Sequence, residues 1–271
     1  DTVAGYTADS VSSMSTWGYA TSIAMLIVAL AAPFLGVFGD IRGMRKKLFS
    51  FFMLLGVAAC AGMAFTPGMD FTSGPVAAGK VASLILVLYI VSVIGFDASA
   101  IYYDAFLTDV TTEDRMDKVS TMGYGLGYIG GSTIPLLIFL IMNLVGVPML
   151  TCLAFVFGLT AVWWLAFSLP LLKNCEQTSG KPYEKGDVAR SIKGVGTTIK
   201  EIIANKPMLI YILSYFFYID GVHTVISMAT TYGTNLGLDS TGMMLALLLV
   251  QILGLPFCLL YIKCSEKFGA R

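Results

Sequence analysis

The sequence predicts an all-α membrane protein, a partial helical bundle with seven transmembrane helices present of an expected twelve. Three observations lead there. Of the 271 residues, 56% are hydrophobic and only 13% charged, with a mean hydropathy of +0.80, whereas soluble domains carry about a quarter charged residues. Seven apolar runs are each long enough to cross a bilayer. A charged turn, acid-x-x-Gly-x-Arg, occurs at Asp40 to Arg45 and again at Glu266 to Arg271, each time after such a run and 226 residues apart, which marks an internal duplication.

The runs lie at about 16–38, 48–65, 81–103, 121–144, 147–172, 208–230 and 241–262. About 20 residues of helix span the hydrocarbon core. Only helices or closed barrels satisfy the backbone in lipid, and these runs are continuous rather than alternating, so they are helical. Of the 17 Lys and Arg, all but Lys80 fall in alternate loops: Arg42 to Lys47, Arg115 and Lys118, Lys173 to Lys206, and Lys263 to Arg271. The positive-inside bias makes those loops cytoplasmic and turns residues 1–15 outward.

Between the fifth and sixth spans lies the longest polar interruption, residues 173–207. It opens with turn formers such as Asn174, Ser179, Gly180 and Pro182. Ile192, Val195, Ile199, Ile202 and Ile203 then share one face, with Lys193, Lys200 and Glu201 elsewhere. An amphipathic helix on the cytoplasmic membrane surface is expected there; a solvated linker is the plainer reading.

Matching the two charged turns makes the first span equivalent to the seventh. One span, 208–230, precedes the seventh in its half, so one more is expected before Thr16, as the outward N-terminus also requires. The expected organisation is therefore a first half over 1–172 lacking its first helix, a linker over 173–207, and the start of a second half over 208–271: helices two to eight of twelve.

Composition also limits the chemistry. The net charge is zero, so nothing favours nucleic acid. The five cysteines, Cys60, Cys152, Cys175, Cys258 and Cys264, are scattered without disulfide or zinc spacing, so neither metal nor cofactor is expected. No Gly-x-x-x-x-Gly-Lys pattern calls for a nucleotide. His223 is the single histidine, and no catalytic residue set is expected.

Polar groups within the spans are the candidate solute or proton path. An acid near the bilayer centre costs about 3 kcal/mol on insertion scales and tends to face protein or a watery cavity. Asp220 sits near the middle of the sixth span, and His223, Thr224, Ser227 and Thr231 continue its face at helical spacing. The stripe lines a central cavity, or else Asp220 and His223 only pair with a neighbouring helix. Asp97, in the third span, belongs to the path or bonds Ser and Tyr side chains locally. Asp104, seven residues on, and Asp109 are expected at the water interface, as a solvated face or paired with Arg115 or the basic loops. Gln251, mid-span in the seventh, is a solute ligand or an interhelical hydrogen-bond partner. Tyr89, Tyr103, Tyr128 and Tyr218 are weaker candidates. Gly123, Gly127 and Gly131, four apart, offer a flat strip for helix packing or for a sliding contact.

The segment Gly36 to Lys47 resembles the loop motif between helices two and three of the major facilitator superfamily. More narrowly, the chain is similar to that superfamily's vacuole-effluxer-like branch. Trp17-Gly-Tyr, Tyr103-Asp-Ala-Phe-Leu-Thr-Asp109, Val119-Ser120, Gly127-Tyr-Ile-Gly-Gly131, Tyr218-Ile-Asp-Gly-Val-His-Thr-Val-Ile-Ser-Met228 and Leu249-Val-Gln251 carry the likeness. Departures are Asp104, Thr108 and His223 where relatives often have Asn, Pro and Gln, Ile262 in place of the second motif's first Gly, and no Arg in the third span.

The resemblance implies a secondary transporter that moves a small polar solute, amino acids in efflux among them, by alternating access in the lipid bilayer. It implies no enzyme activity, and protons through Asp220 or His223 are a subordinate expectation. It also implies a cytoplasmic gate at Gly36, Asp40, Gly43 and Arg45, repeated by Glu266, Gly269 and Arg271. Asp40 is expected to hold Arg42 or Arg45, and the cations offset the dipole of the helix they follow. Short loops favour a bacterial inner membrane, with a vacuolar membrane the alternative in a eukaryote. A seven-helix receptor or sensor is the competing reading. Against it stand the duplicated turn, the absence of an outward cysteine pair and the absence of a lysine in the middle of the last span.

Overall fold

The computed structural model describes residues 10–70, 72–182 and 187–269. Its elements are α1 (Ser10–Gly39), α2 (Arg45–Phe65), α3 (Pro75–Ala105), α4 (Leu107–Val110), α5 (Met116–Gly127), α6 (Ile134–Leu144), α7 (Met149–Asn174), α8 (Asp187–Ala204), α9 (Lys206–Asn235) and α10 (Ser240–Phe268). Seven helical rods are long and apolar enough to cross a membrane: Ser15–Gly39, Arg45–Gly68, Pro75–Val110, Glu113–Leu144, Met149–Asn174, Lys206–Asn235 and Thr241–Phe268. The all-α class and the seven spans stand as expected. All the rods but Met149–Asn174 outlast their apolar runs, because polar and charged residues beyond the lipid core continue the same hydrogen-bond ladder.

The last two rods start on side-chain caps. The Asn205 amide oxygen accepts the Met208 N–H at 3.3 Å, with Pro207 in the first turn, and the Asp239 carboxylate accepts the Gly242 N–H at 2.7 Å. Each cap satisfies an N–H that the helix itself leaves unpaired.

Rods α1, α2, α3 and α7 pack together. Phe49, Met53 and Tyr102 form a buried cluster, flanked by Leu35, Phe52, Trp164 and Leu165. Tyr102 is 1% exposed, and its hydroxyl donates to the Leu35 carbonyl at 3.0 Å. A second cluster joins Cys60 and Met63 of α2 to Ala161 of α7. Helices α2 and α3 touch backbone to backbone: a Cβ on Gly95 would lie 2.6 Å from the Gly56 Cα. Water is no alternative solvent here, so association relies on this close van der Waals fit.

The fourth span departs from a plain helix. Between α5 and α6 the chain widens into a π-helical turn over Tyr128–Thr133. Gly130 and Gly131 contribute no side chain to hold the ladder, and the Pro135 ring clashes with the carbonyl four residues back. The loosened groups find other donors. The Trp163 indole N–H bonds the Gly130 carbonyl at 2.6 Å, and the Thr133 hydroxyl bonds the Tyr128 carbonyl at 2.6 Å. This broken rod lies against α10 along α5, the π turn and α6. The last two rods therefore meet the first five mainly through it.

Candidate functional site

At the basic end of the bundle, α1 stops at Gly39 and a tight turn leads into α2. Gly43 adopts φ +81°, which favours glycine. Arg45, the first residue of α2, is 5% exposed. Its guanidinium forms an ion pair with Asp109 at the end of the third rod. It also donates to the Ala105 carbonyl at 3.0 Å and the Ser179 hydroxyl at 3.2 Å, and lies 5.7 Å from the centre of the Phe106 ring. A charge taken out of water needs this pairing to be tolerated.

The segment after α7 folds back over the turn as a strap. The Gln177 side-chain oxygen accepts the Gly43 and Arg45 N–H groups at 2.8 and 3.3 Å, while its amide donates to the Gly39 carbonyl at 3.0 Å. Thr178 and Ser179 each donate a backbone N–H and a hydroxyl to one oxygen of Asp109, at 2.8 to 3.1 Å. Ile41 and Lys181 then form a parallel bridge. Between them sits Gly180 with φ +113°, where a Cβ would lie 2.7 Å from the Asp40 carbonyl oxygen. Only glycine fits the strap there.

Several expectations change. Asp40 holds neither Arg42 nor Arg45: its carboxylate is exposed and has no hydrogen bond or ion pair among the described residues. Asp109 takes that role because the turn points Arg45 inward, across to the third rod. Of the two readings of Asp109, pairing with a basic loop is the one realised, through Arg45, and the solvated face is not: its side chain is 0% exposed. The tight glycine of the motif is Gly39, where a Cβ would be 3.0 Å from the Tyr102 ring, while Gly36 has open space. In the second copy, Gly269 closes α10 with φ +83°, and Arg271 lies outside the described residues. Glu266 pairs with Lys118, at the start of α5, at 2.7 Å.

The candidate path residues divide between α3, α9 and α10. Asp97 of α3 is half-buried and lies within electrostatic reach of His223 on α9. Met228, on the edge of the same α9 face, reaches α1, 3.9 Å from where a Cβ on Gly18 would stand. The face bearing Asp220, His223, Thr224 and Ser227 is therefore turned toward α1 and α3. Asp220 itself is exposed and has no hydrogen bond or ion pair among the described residues. The Ser227 hydroxyl is spent on its own helix, donating to the His223 carbonyl at 2.8 Å, so it offers a solute only an acceptor. Gln251 is half-buried on α10.

The packing glycines also shift. A Cβ on Gly123, Gly127 or Gly131 would meet nothing within 4 Å among the described residues. The close contact falls instead on Gly125, against Leu255 and Cys258 of α10, and on Gly254, where a Cβ would be 2.5 Å from the Tyr128 ring. A spacing of four marks a face but not the neighbour it meets.

A chain with seven apolar spans among its described residues, all of them helical, whose charged turn clasps a buried Arg and whose spans carry acids at Asp97 and Asp220 is an integral membrane protein of the major-facilitator type. It belongs to the vacuole effluxer Atg22-like family, whose model matches residues 2–271. It is 39% identical over 260 residues to the uncharacterized MFS-type transporter YxiO of Bacillus subtilis, covering 94% of this chain and 58% of that protein. Autophagy-related protein 22-1 of Penicillium rubens is 26% identical over 165 residues, and autophagy-related protein 22 of Botryotinia fuckeliana 23% over 171, in each case 57% of this chain. The chain spans less than two thirds of the length of these relatives. No solved structure matches it.

Proposed function

We propose that the chain is the larger part of a secondary active transporter that carries a small polar solute by alternating access. In this reading residues 1–172 and 208–271 belong to two related halves joined by the linker 173–207. One observation supports it: Asp97 of α3 and His223 of α9, which this reading assigns to different halves, lie within electrostatic reach of each other. Ionisable groups at this depth are costly and are retained for solute or proton pathways. Asp220 and His223 are the proton-coupling candidates, as ionisable side chains on one face of a membrane-spanning helix. Amino acids are the solute class that the family likeness favours.

The Lys118–Glu266 pair is the gate in this scheme. It ties α5 to α10 at the basic, cytoplasmic end and must part when that side opens. Uptake into proteoliposomes holding the full chain tests the reading. Asp220→Asn is expected to abolish solute uptake or its dependence on pH; unchanged uptake with an unchanged pH profile contradicts the coupling.

A further inference from the structure

Helix α8 (Asp187–Ala204) is held at the basic end of the bundle from both sides. After it comes Asn205 alone, and then the membrane rod Lys206–Asn235. Before it, the strap is fixed to the turn that follows α1: the Arg42 N–H donates to the Lys181 carbonyl at 3.0 Å, and the Lys181 N–H to the Asp40 carbonyl at 3.1 Å. The last turn of α8, with Ile202 and Ile203, therefore sits at the depth where a span leaves the lipid. The helix touches α1 as well as α9.

Over its described side chains, α8 has an apolar face and one basic edge. Val195, Ile199, Ile202 and Ile203 recur at helical spacing on the face. Val195 and Ile202 are half-buried, but Ile199 and Ile203 are 49% and 60% exposed. A Cβ on Gly196, beside them on the helix, would meet nothing within 4 Å among the described residues. At about 100° per residue, Lys193 and Lys200 share the edge next to that face, while Glu201 falls at the back. Both lysines are exposed and make no hydrogen bond or ion pair among the described residues.

We infer that α8 docks on the anionic phospholipid headgroups of the cytoplasmic leaflet, with Ile199 and Ile203 immersed and Lys193 and Lys200 at the depth of the phosphates. Whatever covers the apolar face must lie at the lipid surface, because that face ends beside the start of a span. A helix with this division of residues lies in the interface plane, its lysine stems along the apolar boundary and their charges in the headgroups. An apolar face alone settles on any bilayer. The unpaired lysines along its edge select a negative one, and the cytoplasmic leaflet carries that charge. The inference needs only that the chain spans a membrane, and it stands apart from the transporter reading.

The test places a nitroxide spin label at Ile199→Cys, and separately at Ile203→Cys, in the full chain with its native cysteines replaced. The protein is held in nanodiscs of phosphatidylcholine alone or of phosphatidylcholine and phosphatidylglycerol in equal parts. In the anionic discs both labels are expected to collide with dissolved oxygen and to be shielded from a water-soluble nickel chelate, while a label at Thr197→Cys, on the far side of α8, meets the chelate freely. In neutral discs the docked share should fall. In anionic discs Lys193→Gln and Lys200→Gln should each lower the ratio of docked to undocked label about fivefold, the contribution of one lysine at a negative surface, and Lys200→Arg should preserve it. Labels at Ile199 and Ile203 open to the chelate in anionic discs make the segment a solvated linker and overturn the inference. Shielding from both oxygen and chelate means that protein covers the face, and equal immersion in the two lipids or in the lysine variants means that the apolar face acts alone; either result overturns it too.

Discussion

The two copies of the charged turn hold their ions in opposite ways. In the first, Arg45 and Asp109 have side chains 6% and 0% exposed, wrapped by the strap over 177–181 and joined to elements within the first five spans. In the second, Lys118 and Glu266 are 58% and 56% exposed and join α5 to α10. A buried pair is costly to break, because removing one partner strands the other; an exposed pair is worth at most about 1 kcal/mol. One sequence pattern thus serves a fixed clasp in one place and a contact that opens cheaply in the other.

The largest expected effect is on the clasp. Asp109→Ala leaves Arg45 with only the Ala105 carbonyl, Ser179 and the Phe106 ring, and should cost about 3 kcal/mol, read as a lowered midpoint of thermal unfolding in lipid nanodiscs. A midpoint within experimental error of the parent removes the contrast between the two turns. Next comes Gly180→Ala, which forces a side chain into a left-handed backbone position 2.7 Å from the Asp40 carbonyl. A loss of about 1 to 3 kcal/mol is expected, together with faster amide exchange at Arg42 and Lys181, whose N–H groups close the bridge.

Smallest in stability is Glu266→Gln, at under about 1 kcal/mol, yet it should populate the state open at the basic end. Cys258, which packs on Gly125 at the α5–α10 contact, should then react faster with a soluble maleimide. An unchanged rate means that the exposed pair has no part in holding the two rods together.

Much of the fold was legible because lipid imposes one rule everywhere: the backbone must bond to itself, so long apolar runs declare their helices. The ends were less so, since charged residues such as Lys206 or Lys267 extend a helix outside the lipid. The π turn left a trace in Gly130, Gly131 and Pro135, but only Trp163, 33 residues away, satisfies the carbonyl it frees. The clasp was legible in part: a pairing of Asp109 with a basic loop was one expectation, but not which cation would make it. Arg45 and Asp109 are 64 residues apart, and local electrostatics pointed to Asp40 because it is near in sequence. Ser179 read as a turn former, and nothing in the order of Gln177, Thr178 and Ser179 tells that Gln177 closes over the turn and the other two over Asp109. The stripe on α9 followed from helical spacing, whereas the direction it faces came only from Met228 beside Gly18 and His223 within electrostatic reach of Asp97.

Whether that stripe borders water is the central question, and thiol accessibility in intact membranes answers it most directly. In the full chain with its native cysteines replaced, Thr224→Cys is expected to react with a membrane-impermeant methanethiosulfonate, while Ile226→Cys, on the opposite face of α9, stays protected. Protection of both positions, or reaction at Ile226→Cys alone, would place the polar face against lipid and contradict a solute path between α9 and the first helices.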